Sequence, residues 1–144
     1  MMMSGTGYHT FDSTVDKTNH LLNEIEQAYG WPRSRRNQSF AALRATLHAL
    51  RDRLPVAESA KFAACLPMLV RGLYYEGWEP SHVPVKMHRD EFFERVRREF
   101  PFNVDGGLEP LVSTVLTALK RFGAEGEWDD LRGSMPRELA GTIP

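Results

Sequence analysis

Five histidines (His9, His20, His48, His82 and His88) and one cysteine, Cys65, are the residues of this 144-residue chain that could ligate a metal or act as a nucleophile. Zinc sites take their ligands at short regular spacings, as in HExxH or paired cysteines. No histidine here has another three or four residues away, and a lone cysteine cannot supply a thiolate pair. No metal site and no cofactor are expected. Gly5-Thr6-Gly7 and Gly106-Gly107 lack the Lys-Ser/Thr ending and the preceding strand of a phosphate loop, and no nucleophile elbow occurs. Cys65 stands in the apolar run Ala63-Ala64-Cys65-Leu66, which predicts a buried, inert thiol. With no catalytic set to name, the reading leans away from an enzyme.

Two constellations suit binding instead. On a helix through Leu47, Arg44, His48 and Arg51 fall on one flank of the apolar face, where guanidinium groups could cradle a carboxylate, a phosphate or an acidic peptide. The bland alternative is that their stems cover apolar surface while their charges pair with acids such as Glu24 or Glu58. The second constellation is Arg71, Tyr74, Tyr75 and Trp78, running into Pro80, a mixture of aromatics and arginine typical of protein-binding hot spots. Against it, the register of Tyr74 points to the core, and Trp78 could simply pin a linker. The runs Arg33-Ser34-Arg35-Arg36 and Arg95-Val96-Arg97-Arg98 could touch phosphates, but Glu94 and Glu99 dilute the second, and solvated helix faces explain both.

The elements that must position these residues are helical throughout. Phe11, Val15, Leu22, Ile25 and Tyr29 repeat with one helical face turned inward, and Gly30 followed by Trp31-Pro32 ends that helix. Phe40, Leu43, Leu47, Leu50 and Leu54 mark the second. Pro55 opens a third and Pro67 a fourth, through Met68, Leu69, Val70, Leu73 and Tyr74. Residues 76–88, with two prolines and a glycine, read as an ordered connecting loop. A fifth helix carries Phe92, Phe93, Val96 and Phe100, and a sixth Leu108 to Leu119. A seventh surrounds Trp128 and Leu131, and an eighth runs from Pro136 through Leu139 to Ile143.

Sliding the chain against itself by 69 residues aligns Leu47 with Leu116, Ala49 with Ala118, Leu50 with Leu119, Glu58 with Glu127, Pro67 with Pro136 and Gly72 with Gly141. Apolar positions also coincide, as at Phe62 and Leu131 or Val70 and Leu139, and helix one matches helix five at a shift of 71. The expected fold class is all-α: two tandem four-helix halves related by internal duplication and packed as one globular domain. Residues 1–9 would be a frayed N-terminus, 10–75 the first half, 76–88 the connection and 89–144 the second half.

Lys and Arg total 18 against 19 Asp and Glu, so no global field draws nucleic acid or anionic lipid, and nucleic acid is an unfavoured partner. No stretch approaches the roughly 18 apolar residues of a membrane span, and the start lacks the basic and apolar regions of a signal peptide. With a single cysteine, this predicts a cytoplasmic protein.

The stretches Tyr8-His9-Thr10-Phe11-Asp12, Ala41 to Pro55 and Leu66 to Trp78 resemble the bacterial proteins catalogued as domain of unknown function 2267. The resemblance covers nearly the whole chain, is tighter in the first half, and departs at His20, where a tryptophan is expected. It implies a small all-helical bacterial protein and brings no catalytic residues. The resulting expectation is a non-enzymatic interaction or adaptor module, with stress physiology as a setting. It would bind a protein partner in a groove between its halves or beside Arg71, Tyr74, Tyr75 and Trp78, with homo-oligomers left open. Anion or small-molecule binding at Arg44, His48 and Arg51 is the alternative, and weak nucleic-acid binding the third reading.

Overall fold

The computed structural model describes residues 5–144, and among them there are eight α-helices and no strand. The helices are α1 (His9–Tyr29), α2 (Arg36–Arg53), α3 (Val56–Ala64), α4 (Met68–Tyr75), α5 (Arg89–Glu99), α6 (Leu108–Leu119), α7 (Glu125–Ser134) and α8 (Arg137–Ala140). Short 3₁₀ turns, which the apolar period did not predict, precede α2, cross the connection at Pro80–His82 and follow α6. Of the segment expected to fray, residues 1–4 lie outside the described residues. Thr6 is tied down, its amide and hydroxyl donating to Asp12 Oδ1 at 2.5 and 2.8 Å. Those bonds hold the Asp12 carboxyl below its ordinary range.

Local chemistry sets the helix ends. Gly30 takes the left-handed conformation (φ 66°), and the Gly30 and Trp31 amides return to the Gln27 and Glu26 carbonyls, closing α1. Pro55, Pro67 and Pro136 each sit one residue before a helix, in extended conformation. The α5 start is held by the His88 amide donating to Glu91 Oε1 at 3.0 Å.

One continuous core draws on all eight helices. At its centre α2 touches α1, α4, α5 and α6, while α1 also packs on α6 and α3 on α7. Leu47, Leu50, Leu54, Leu111 and Val112 are buried there, and Phe62 meets Trp128 edge-on at 5.6 Å. Burial of apolar area at roughly 25 cal/mol per Å² is what holds helices as short as α3, α4 and α8, which would be marginal alone. Polar staples add register. Glu26, buried on α1, accepts from Arg36 Nε at 3.1 Å and from the Ser39 hydroxyl at 2.5 Å, joining α1 to the start of α2. Burial opposes ionisation of Glu26, but Arg36 and Ser39 outweigh it and hold the carboxyl below its ordinary value.

Candidate binding groove

Three residues that the apolar period turns inward are exposed: Phe11 (49%), Val15 (36%) and Phe40 (45%). Periodicity finds the apolar stripe but not the length over which a neighbouring helix covers it. Met68 and Leu69 on α4 are also about half exposed. All five line one groove of about 710 Å³ between α1, α2 and α4, with Leu43, Val70, Gly72 and Leu73 completing its apolar lining. Thr14 and Thr18 contribute from α1 and Glu76 stands at its edge.

The walls are fixed by hydrogen bonds that leave the apolar surface free. Thr14 Oγ1 accepts from the Leu69 amide at 2.9 Å, satisfying a donor that the first turn of α4 would otherwise leave unpaired. Thr18 donates its hydroxyl back to the Thr14 carbonyl at 2.8 Å. In the middle of α4, Gly72 leaves open space where a Cβ would stand. Taking ~200 Å² for a whole aromatic side chain, the five exposed residues present on the order of 400 Å² of apolar surface. Patches of that size on monomers are often functional.

Arg44, His48 and Arg51 do lie together, but each already faces acceptors. Arg44 bonds Glu99 of α5 and comes within 3.7 Å of Glu76. His48 Nε2–H donates to the Leu73 carbonyl at 2.8 Å, and its Nδ1 faces both Glu99 oxygens at 3.0 and 3.1 Å. Arg51 donates to the Tyr74 and Glu76 carbonyls at 3.1 and 2.7 Å and to Asp52 at 2.9 Å. These bonds lash the end of α4 to α2 and α5. The acids suggested as partners are engaged elsewhere, Glu24 with Arg121 and Glu58 with Lys61.

Of the other constellation, Tyr74 is fully buried with its hydroxyl 2.8 Å from Ser59 Oγ, so it supports a surface from within and cannot form one. Burial raises the Tyr74 phenol far above its ordinary value. Arg71 turns its guanidinium onto the Ala63, Ala64 and Leu66 carbonyls at the end of α3. Tyr75 and Trp78 are partly buried, their rings 5.1 Å apart. Cys65 is only half buried, and burial together with the Glu127 carboxylate, to which the thiol donates, pushes it up to about 11. Among the described residues no group of three or more His, Cys, Asp or Glu could hold a metal. In the arginine runs, Arg35 stacks over Trp31, Arg36 holds Glu26, Arg95 pairs with Asp52 and Arg97 caps the Phe100 and Phe102 carbonyls.

Residues 18–141 match the family model described as uncharacterized conserved protein (DUF2267). The chain belongs to the DUF2267 family. No curated protein matches it. In this DUF2267 protein the α2 and α4 walls of the groove fall inside the matched residues, whereas Phe11, Thr14 and Val15 precede them. Among the described residues no helix is long and apolar enough to cross a membrane.

Proposed function

We propose that this chain is a non-enzymatic interaction module whose groove between α1, α2 and α4 receives the apolar face of an amphipathic helix from a protein partner. The observation that carries the reading is the convergence of Phe11, Val15, Phe40, Met68 and Leu69, half exposed, from three separate helices on one groove. The α1 wall from Phe11 to Thr18 spans about 10 Å at 1.5 Å per residue, two turns, matching the i, i+3, i+4, i+7 anchors of a helix laid in a groove. Gly72 and the two threonines allow its backbone a close approach. Tyr75 and Trp78 flank Glu76 at the groove's edge and extend the surface, with Arg71 and Tyr74 holding that segment in place.

The module is built from one helical plan used twice, residues 10–75 and 89–144, joined by 76–88. Reciprocal packing supports this: α1 lies on α6 as α5 lies on α2, and α2·α6 and α3·α7 are the self-paired contacts such symmetry requires. Pro67 and Pro136 also share the same backbone torsions, φ −57° and ψ 151°. The partner then reads the face of one half, in place of the expected groove between the two halves.

A photo-crosslinking amino acid placed at Leu69, at Trp78 and at the equally exposed Val56 on α3 tests the groove in cells expressing the chain. A discrete adduct at Leu69, absent at Val56 and suppressed by Phe40→Asp, is expected. No adduct at Leu69, an adduct at Trp78 alone, or equal adducts at Leu69 and Val56 would remove the groove from consideration.

A further inference from the structure

A second cleft, of about 750 Å³, opens where the end of α2, the last residues of the connection and the start of α8 meet. Arg53, Lys86 and Arg137 line it together with His88, Glu91 and Glu138. Among the described residues eight Lys or Arg side chains make no ion pair with a carboxylate; Arg35, Arg71 and Arg97 bond Gln38 or backbone carbonyls instead, and of the remaining five, Lys17, Arg33, Arg53, Lys86 and Arg137, three face this one cleft. Scattered solvated cations would not gather so.

Arg53 adds an independent sign. Its Nε–H is buried and has no acceptor, an arrangement proteins avoid because the desolvated donor loses its water partner without replacement. The backbone brings these charges together deliberately. The Val85 amide donates to the Asp52 carbonyl at 2.7 Å, setting Lys86 beside Arg53. Glu138 Oε1 accepts from the Arg89 amide at 3.1 Å and faces His88 Nδ1 at 3.1 Å, docking the start of α8, and so Arg137, on the first turn of α5. Glu91 accepts from the His88 amide. Both carboxylates are thus committed to that turn, and neither pairs with Arg53, Lys86 or Arg137.

We infer that this cleft binds a phosphorylated small molecule, its phosphoryl group taken by Arg53, Lys86 and Arg137. Two guanidinium forks and an ammonium need an anion with several oxygens and more than one charge. A phosphoryl group offers three oxygens and about −1.5 to −2 at neutral pH, a single carboxylate only two oxygens and one charge. The cleft exceeds a bare phosphate and lies within the roughly 300–1,000 Å³ of small-molecule sites, leaving room for the rest of the ligand against Met87 and Pro136. The expected anion flank at Arg44, His48 and Arg51 is internally neutralised, and the free cations lie at the far end of α2 and beyond it.

Calorimetric titration of the full chain with inorganic pyrophosphate, and with citrate as a carboxylate of similar charge, tests this. Saturable pyrophosphate binding is expected, weakened roughly tenfold by Arg53→Gln and by Arg137→Gln, with Arg33→Gln and Leu69→Asp unaffected. Arg137 is exposed, so its variant carries the test should Arg53→Gln fail to fold. Absence of saturation, an equal loss in Arg33→Gln, or citrate binding as tightly as pyrophosphate would each overturn the assignment. Leu69→Asp also separates this site from the groove, since failure of either leaves the other standing.

Discussion

Gly72 gives the sharpest test of the groove, because the fold itself has no use for a glycine there. The residue is exposed in the middle of α4, its φ is not positive, and a Cβ would meet nothing within 4 Å. Glycine in a helix interior costs about 0.5–1 kcal/mol relative to alanine through backbone entropy. Gly72→Ala should therefore stabilise the protein by that amount. For a chain of 144 residues, at ~3 °C per kcal/mol, this is a rise in Tm of about 2–3 °C. Calorimetry and urea unfolding, with an unchanged m-value, would measure it. Gly133→Ala on α7, where a Cβ also meets open space, is the companion variant and should give a gain of the same sign. The bulkier Gly72→Leu should keep the fold and fill the groove, abolishing the crosslink at Leu69. A fall in Tm for Gly72→Ala would mean that a side chain there collides with the fold, refuting Gly72 as open lining.

Glu26 governs acid behaviour. Its folded carboxyl lies below the ordinary 4.5, so its contribution is complete above that value and is lost as pH falls through the depressed folded one. Glu26→Gln should cost roughly 1–3 kcal/mol at pH 7 and flatten the decline of Tm below pH 4.5; an unaltered slope would place the acid sensitivity elsewhere. Cys65, pushed up to about 11 from 9.0, holds about 100-fold less thiolate than an ordinary cysteine; because a more basic thiolate is about tenfold the better nucleophile, a disulfide reagent at pH 8 should modify it about tenfold more slowly than in the unfolded chain. Equal or faster modification in the folded chain would contradict its shielding by Glu127. Tyr74→Phe removes the buried bond to Ser59 and should cost about 1–2 kcal/mol by urea unfolding, whereas no loss would mean that the hydroxyl pair contributes nothing net.

Helices were legible wherever apolar period and breakers agreed. Gly30, Pro55, Pro67 and Pro136 mark ends within a residue or two, because backbone conformation is decided locally. Partners were not legible, since they depend on which surfaces meet. Glu99 reaches Arg44 and His48 across 55 and 51 residues of sequence, and nothing local distinguishes it from Glu24 or Glu58. Phe11 and Phe40 sit on the correct stripe of their helices yet stay uncovered, because α4 passes α1 at Thr14 and leaves the groove open beside it. Arg53, Lys86 and Arg137 are isolated cations in sequence, and only the packing of three elements collects them.

The buried polar flank of α2 links these observations. A helix of eight residues such as α4 has little stability of its own, yet it forms a wall of the groove and must stand at a fixed distance from α1. Thr14 holds its first turn, while His48 and Arg51 hold its last through the Leu73, Tyr74 and Glu76 carbonyls. Those carbonyls are the orphan acceptors of a helix end, where cationic side chains are most favourable. Glu99 then anchors His48 and Arg44 from α5, so the second half of the chain braces the groove of the first. On the proposed reading, an apolar groove with a wall pinned at both ends would lose little entropy on closing around a helix, and that preorganisation is the role the reading assigns to the buried charges on α2.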